Sequence, residues 1–426
     1  MMRISPSPCS PSVNAWRLPE LVRAALAARL PVAAWRSPLA ASAQAVVHLS
    51  GPPQWAPLDL ARAEPGFAFA PFLARPGHEA LHLRADLWHD GQAVRPLSGH
   101  NAAAEEGMER LLDARADLRW TAPPRPCWPA GAGGAAGAAV RCLSQDEYCA
   151  LVARGVSAIR QGHLQKVVLA RVIAAPLPPA LDPVSLFDRL AQRYPAAFVS
   201  LVAIPGVGIW LGATPELLLE TDGRRLRTVA LAGTQPLPPH GQAASVRWGA
   251  KELEEQALVT RYVGDFFRRQ GVAPRQEGPH TVVAGHLAHL RTSFEVSLPP
   301  EPLARLATQV VQALHPTPAV CGLPREAAAA FILAHEPQPR DFYSGFLGPV
   351  ALDGKTALYV NLRCLRWEPT RALLYVGAGI TASSDPCAEW HETVLKARTL
   401  LSVLYDTAQA VPSLTPIPVA VREAVL

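Results

Sequence analysis

Two short acidic stretches carry the clearest chemical potential in the chain. Glu252 and Glu255 are three residues apart, and so are Glu389 and Glu392. If each pair lies on a helix, that spacing puts both carboxylates on one face. Two such faces brought together offer four hard oxygen donors. Mg²⁺ suits such a set, because it takes carboxylates and keeps waters and room for an anionic substrate. The ordinary alternative is a solvated helix face, with Lys396 making a plain i,i+4 ion pair to Glu392. Gly233-Thr234 and Gly377-Ala378-Gly379 follow predicted strands and would let backbone N–H groups approach an anion, although most such glycines only make turns. His286 and His289 form an HxxH on a loop or strand with no third ligand nearby, so hydrogen bonding is the preferred reading over zinc. Cys321 and Cys364 lack the partner that a thiol nucleophile needs.

The lysines form a second group. Of 40 Lys and Arg residues only four are lysine: Lys166, Lys251, Lys355 and Lys396. Arginine serves as well for solubility and many ion pairs, but it stays protonated and cannot act as a base. A lysine kept in so arginine-rich a chain is a candidate for function. Lys355, in the turn Asp353-Gly354-Lys355, reads as an exception with no special role.

These side chains need a body to position them. The chain has 426 residues, enough at roughly 150 per domain for two or three domains or one large α/β body. Hydrophobic residues make up 49% and charged residues 18%, which supports a core and excludes a mainly disordered chain. The net charge of +5 is spread along the chain, without the basic stripe of a nucleic-acid binder. The seven cysteines include no CxxC pair, so neither a disulfide framework nor a structural zinc site is expected. Residues 1–13 lack the apolar run of a signal peptide. The uncharged stretch 195–215 is long enough to span a bilayer, but Pro205-Gly206, Gly208 and Gly212 interrupt it, so it reads as two buried strands and a turn. The expectation is a cytoplasmic protein with reduced thiols.

Along the chain, 45–49 and 80–87 read as strands and 105–118 as a helix. Residues 121–140 are a Pro-rich, then Gly/Ala-rich, linker or surface excursion. Ser144 and Glu147 form a capping box opening a helix that ends near Gly162. Strands are expected at 166–175, 197–204, 208–211, 217–221, 226–232, 346–352, 357–367 and 372–376. Helices are expected at 183–193, 244–270, 301–314, 325–335 and 387–406. Strands in hairpin-like runs point to an α+β class with largely antiparallel sheets. Three segments follow: an N-terminal part with many prolines and few clear motifs (1–140), a chemistry-bearing region (141–407) and a Pro-containing tail (408–426).

Ten stretches in order resemble one family. They are Lys166-Val-Val-Leu-Ala-Arg171, Gly212-Ala-Thr-Pro-Glu-Leu-Leu218, Leu231-Ala-Gly-Thr234, Lys251-Glu-Leu-Glu-Glu255 and His289-Leu-Arg-Thr292. They continue with Leu314-His-Pro-Thr-Pro-Ala-Val-Cys-Gly-Leu-Pro324, Arg340-Asp-Phe-Tyr-Ser-Gly345, Leu362-Arg-Cys364, Gly377-Ala-Gly-Ile380, and Glu389-Trp-His-Glu392 with Lys396. Together they cover about 144–406 and are similar to the chorismate-utilising enzymes, most closely the isochorismate synthases. The resemblance implies a single large body of packed, largely antiparallel sheets with outer helices, Mg²⁺ as cofactor and chorismate as substrate. It also implies a monomer with no glutaminase subunit; the spread charge and the interrupted apolar stretch already argue against nucleic acid or membrane as a partner.

By resemblance, Glu255 and Glu392 ligate Mg²⁺ while Glu252 and Glu389 hold its waters. Arg363, the Gly377 backbone and Lys396 bind the enolpyruvyl carboxylate. Gly233 and Thr234 lie along the ring carboxylate, and His289, Ala319 and Gly379 complete the substrate site. Isochorismate synthases add water at C2 of the ring and expel the C4 hydroxyl, which needs a base and an acid. Lys166 is the implied base, partly neutral through burial and nearby cations. Glu216 is the implied acid, its pKa raised by burial. The His315-Pro-Thr-Pro-Ala319 run and Lys166 separate the chain from ammonia-using relatives, and the former also makes pyruvate elimination to salicylate the lesser alternative. Gln256 stands where many relatives carry His.

Overall fold

The computed structural model describes residues 13–97, 102–116, 140–237, 243–284 and 287–406. Among these, ten strands form one sheet and nine another, with antiparallel pairing throughout. The first sheet runs Gly322–Leu323, Lys166–Pro176, Arg371–Ile380, Cys364–Trp367, Gly208–Thr214, Phe198–Ile204, Val32–Arg36, Gln44–Val47, Leu87–His89, Val94–Pro96. The second runs Arg275–Ala284, Leu287–Ser297, Arg225–Pro236, Leu217–Thr221, Thr356–Val360, Phe346–Val350, Gly66–Ala70, Ala80–Arg84, Gln54–Ala56. The α+β expectation with antiparallel sheets therefore holds.

Side chains alternate across a strand, so a strand with both faces covered must be apolar on each. Phe198–Ile204 shows this directly. Phe198, Val202 and Ile204 point into a cluster shared with the second sheet, where Phe67, Phe69 and Tyr359 sit. Val199, Leu201 and Ala203 pack instead with the helices Leu18–Ala27, Pro183–Arg193 and Pro386–Leu404. The outer face of the second sheet packs on the helices Ala250–Arg269 and Pro300–Leu314. The result is two sheets face to face with helices outside. Phe198 of one sheet stacks on Tyr359 of the other at 4.1 Å between ring centroids.

The helices form where their end signals place them. Ser144 and Glu147 make the capping box of Gln145–Arg160. Asp182 caps Pro183–Arg193, and Asp385 caps Pro386–Leu404 by accepting from the Ala388 N–H at 2.8 Å. Pro183 and Pro386 stand at the start of their helices, where a missing N–H costs nothing.

Several expectations are corrected. The run 357–367 is two strands in different sheets, Thr356–Val360 and Cys364–Trp367. Arg363 between them has φ +47°, and the chain crosses from one sheet to the other there. The run 80–87 also divides, with Ala80–Arg84 in the second sheet and Leu87–His89 in the first. At that break, buried Asp86 accepts from the Leu49 N–H at 2.7 Å. The long helix begins at Ala250, after a short 3-10 turn at Ala243–Ser245. Helix Leu18–Ala27 and the hairpin strands Arg275–Ala284 and Leu287–Ser297 went unread. The strands of the N-terminal part join both sheets. Residues 117–139, His286 and 407–426 lie outside the described residues.

Candidate active site

A cleft between the two sheets, about 650 Å³ with its open mouth included, is lined by eleven of the fourteen residues singled out from sequence. They are Glu216, Gly233, Thr234, Glu255, His289, Ala319, Arg363, Gly377, Gly379, Glu392 and Lys396. Lys166 lies just behind, fully buried, with Nζ 2.8 Å from Glu255 Oε1. Glu389 is paired with Lys251 rather than lining the cleft. Glu252 turns back to its own helix start, where its Oε2 accepts from the Gly249 N–H at 3.1 Å and the Gln235 amide at 3.3 Å.

Two crossovers between the sheets sit side by side and each delivers a site residue. Pro215-Glu216 links Gly208–Thr214 to Leu217–Thr221, and Asn361–Arg363 links Thr356–Val360 to Cys364–Trp367. The Thr214 hydroxyl donates to the Val360 carbonyl at 2.7 Å, the Val360 N–H to the Glu216 carbonyl at 2.9 Å, and the Ala213 N–H to the Arg363 carbonyl at 3.0 Å. Glu216 and Arg363 are thus fixed by backbone on both sides. Among the described residues the buried Arg363 guanidinium has no ion-pair partner, which leaves it suited to an anion.

The other walls follow from strand chemistry. At Gly233 the pairing between Arg225–Pro236 and Leu287–Ser297 shifts register, and Gly233 has φ +69°. A Cβ there would also press on the Glu252 backbone at 3.2 Å. Only glycine accepts both conditions easily. Thr234 then faces His289, whose Nδ1 lies 3.2 Å from both the Thr234 hydroxyl and the Gly233 carbonyl. Gln256 ties the same strand to helix Ala250–Arg269: it accepts from the Ala232 N–H at 2.9 Å and donates to the Ala230 carbonyl at 3.1 Å and the Thr292 hydroxyl at 3.0 Å. Its place is therefore structural. Across the cleft, a Cβ at Gly379 would lie 2.4 Å from Glu255 Oε1, so glycine is what lets Glu255 reach Lys166.

The charges are dense. Burial pushes the Glu216 carboxyl up to about 7, against the pull of Lys166, Arg363, Lys396 and the Thr317 hydroxyl. Burial also works against charge on Glu255, but Lys166, then Lys251 and Lys396, outweigh it and hold Glu255 below the usual carboxylate range. Burial and the neighbouring Glu392 charge raise Glu389, opposed by Lys251. Lys396 donates to Glu392 Oε1 at 2.6 Å and to the Gly377 carbonyl at 2.9 Å. Among the described residues no three His, Cys, Asp or Glu side chains close on one point as a ready-made metal cage. The donor set is nonetheless the hard oxygen kind that Mg²⁺ takes, and three of its carboxylates already hold cationic partners.

Sequence reasoning passed over Tyr343, Tyr375, Val168 and Leu362, which also line the cleft. Tyr343 lay inside a noted motif, and its hydroxyl would meet a Cβ at Gly377 at 2.9 Å. Lys251, the first residue of another motif and one of the four lysines, was the clearest signal left unassigned.

The chain matches the family described as chorismate binding enzyme over residues 132–405. Isochorismate synthase EntC of Escherichia coli (strain K12) is 33% identical over 265 residues, 61% of this chain and 67% of that protein. The salicylate biosynthesis isochorismate synthase of Pseudomonas aeruginosa is 33% identical over 377 residues, 83% of this chain and 75% of that protein. The solved structure of MenF, the menaquinone-specific isochorismate synthase from Escherichia coli, aligns with TM-score 0.68 and 23% identity, covering 92% of both chains, a likeness of fold.

Proposed function

We propose, from the premise that the chain belongs to the chorismate-binding enzyme family, that it is an isochorismate synthase: an isomerase converting chorismate to isochorismate for menaquinone or siderophore synthesis. The observation that carries this reading is that buried Glu216 lines one cleft with Arg363 and Lys396, while Lys166 lies buried just behind it, close enough for its charge to act on Glu216.

In this reading Arg363, Lys396 and the Gly377 backbone take the enolpyruvyl carboxylate. Gly233 and Thr234, with His289 behind them, flank the ring carboxylate, and Ala319 and Gly379 shape the walls. Lys166 takes a proton from the water that attacks C2. The double bonds shift, the C4–O bond breaks, and Glu216 gives its proton to the departing hydroxyl, so one water enters and one leaves. A carboxyl held near 7 by burial is well matched to that task at neutral pH.

Enzymes of this family are generally Mg²⁺-dependent. Here Glu255 and Glu392 would hold the ion and Glu252 and Glu389 its waters. When bound, the ion offsets negative charge where a dianionic substrate meets carboxylates. The reading further takes the enzyme to be a cytoplasmic monomer without a glutaminase subunit. No helix among the described residues is long and apolar enough to cross a membrane.

Product analysis tests the reading. With chorismate and Mg²⁺ the protein should form isochorismate, and with added ammonium salt neither anthranilate nor aminodeoxychorismate. An amine product at a comparable rate, or salicylate as the main product, would overturn it.

A further inference from the structure

Lys251 has no part in the chemistry above, yet it stands among its carboxylates. It projects from the first turn of helix Ala250–Arg269, and its Nζ lies 2.6 Å from Glu389 Oε1. Its side chain is 26% exposed, whereas that of Glu389 is 1% exposed. Glu389, Glu392 and Glu255 all act on its charge, in that order. The other two ammonium groups are held differently. Lys166 is sealed in, its side chain 0% exposed, and Lys396 is held by both Glu392 and the Gly377 carbonyl. Of the three lysines on the carboxylate cluster, Lys251 is the most exposed, and its ammonium is held by a single carboxylate, whereas Lys396, 16% exposed, is held by two partners.

We propose that Lys251 is an internal counter-cation. Its ammonium balances the Glu389, Glu392 and Glu255 charges and withdraws to solvent when a divalent cation takes those carboxylates. This rests on the reading of the glutamates as a Mg²⁺ site. The physical ground is that an ammonium and a divalent ion on the same few oxygens repel each other strongly in a partly buried site. Lys251 therefore sets how tightly the free enzyme holds Mg²⁺. The dianionic substrate, by adding negative charge, tips the exchange toward the metal, so Mg²⁺ and chorismate strengthen each other's binding.

The scarcity of lysine makes the test direct. Full-length protein labelled with ¹³C,¹⁵N-lysine gives four side-chain signal sets, and Lys355, on an exposed turn, is the internal reference. On titration with MgCl₂ at pH 8, the Lys251 Cε and Nζ signals should move to the values of free lysine while Lys355 stays put. By calorimetry, Lys251→Met should bind Mg²⁺ about tenfold tighter than the wild type, within the usual range of such couplings, while Lys251→Arg should not. Mg²⁺ binding to the wild type with Lys251 unmoved, or binding to Lys251→Met no tighter than to wild type, would overturn the counter-cation role alone. Binding of Mg²⁺ to neither protein would overturn the metal reading and this role with it. If Lys251→Met does not fold, the labelled wild type decides.

Discussion

Glu216 shows how one buried carboxyl sets a pH profile. Its folded-state pKa of about 7 lies above the ordinary 4.5, so the folded protein holds this proton more tightly than the unfolded chain. Its contribution to stability is full below pH 4.5 and is lost as pH rises through 7. For catalysis the sign is opposite. Isomerisation consumes no proton, so in the proposed mechanism the form that acts forward (Lys166 as base, Glu216 as acid) and the form that acts in return, with the roles exchanged, carry the same number of protons. At low pH the pair holds one proton too many. Rate constants kcat/KM in both directions should therefore rise together through about pH 7, and Glu216→Gln should remove that limb and at least ~10² of the rate. A limb in one direction only would break the pairing. Lys166→Arg should likewise lose at least ~10²-fold, because Arg keeps the charge but gives up no proton, and a near-normal rate would remove Lys166 from the mechanism. Lys166 was legible in the sequence for a chemical reason, since it stands out against the arginines, whereas Glu216 was marked only by the family resemblance. What was not legible is that Lys166 would meet the Glu255 carboxylate as its nearest charged partner, since that contact spans 89 residues and depends on which helix lies over the strand.

The strand Arg371–Ile380 carries two glycines with different duties. A Cβ at Gly379 would run into the far end of the Glu255 side chain at 2.4 Å, which can rotate away. A Cβ at Gly377 would meet the Leu169 backbone carbonyl at 2.9 Å, which the sheet pairing holds in place. Gly379→Ala should thus fold with little loss of stability yet drop about 10²-fold in rate, since a displacement near 1 Å suffices for that. Gly377→Ala should cost about 1–3 kcal/mol by overpacking. Thermal melts beside steady-state rates separate the two, and equal melting losses would mean that Gly379 serves packing alone. At this scale the caps and helix periods were readable because they are local. The break inside 357–367 was not, because a largely apolar run looks the same whether it stays in one sheet or crosses to the next. The crossing depends on the positive φ of Arg363, a residue type that gives no hint of it.

At the scale of the molecule, the site exists only where two sheets face each other. Arg371–Ile380 belongs to one and Arg225–Pro236 to the other, and the cleft takes Gly377 and Gly379 from the first and Gly233 and Thr234 from the second. Strand order was beyond sequence reasoning, because alternation tells which face of a strand is buried and not which strand lies beside it. The N-terminal part shows this most plainly: its short strands extend both sheets, a role no motif could announce. A ligand that bridges the sheets must oppose any opening that parts them. With chorismate and Mg²⁺ at about 100 times Kd, the linkage amounts to about 2.7 kcal/mol, or about 100-fold in the population of open forms. Hydrogen exchange in Arg371–Ile380 and in Arg225–Pro236 should then slow by a similar factor, because the same separation exposes both. Arg363→Met, which lacks the charge proposed to hold the substrate, should lose most of this protection in both strands at once. If only one strand were protected by the ligand, the cleft would open by local fraying of the other, and the two sheets could not be treated as one unit around the substrate.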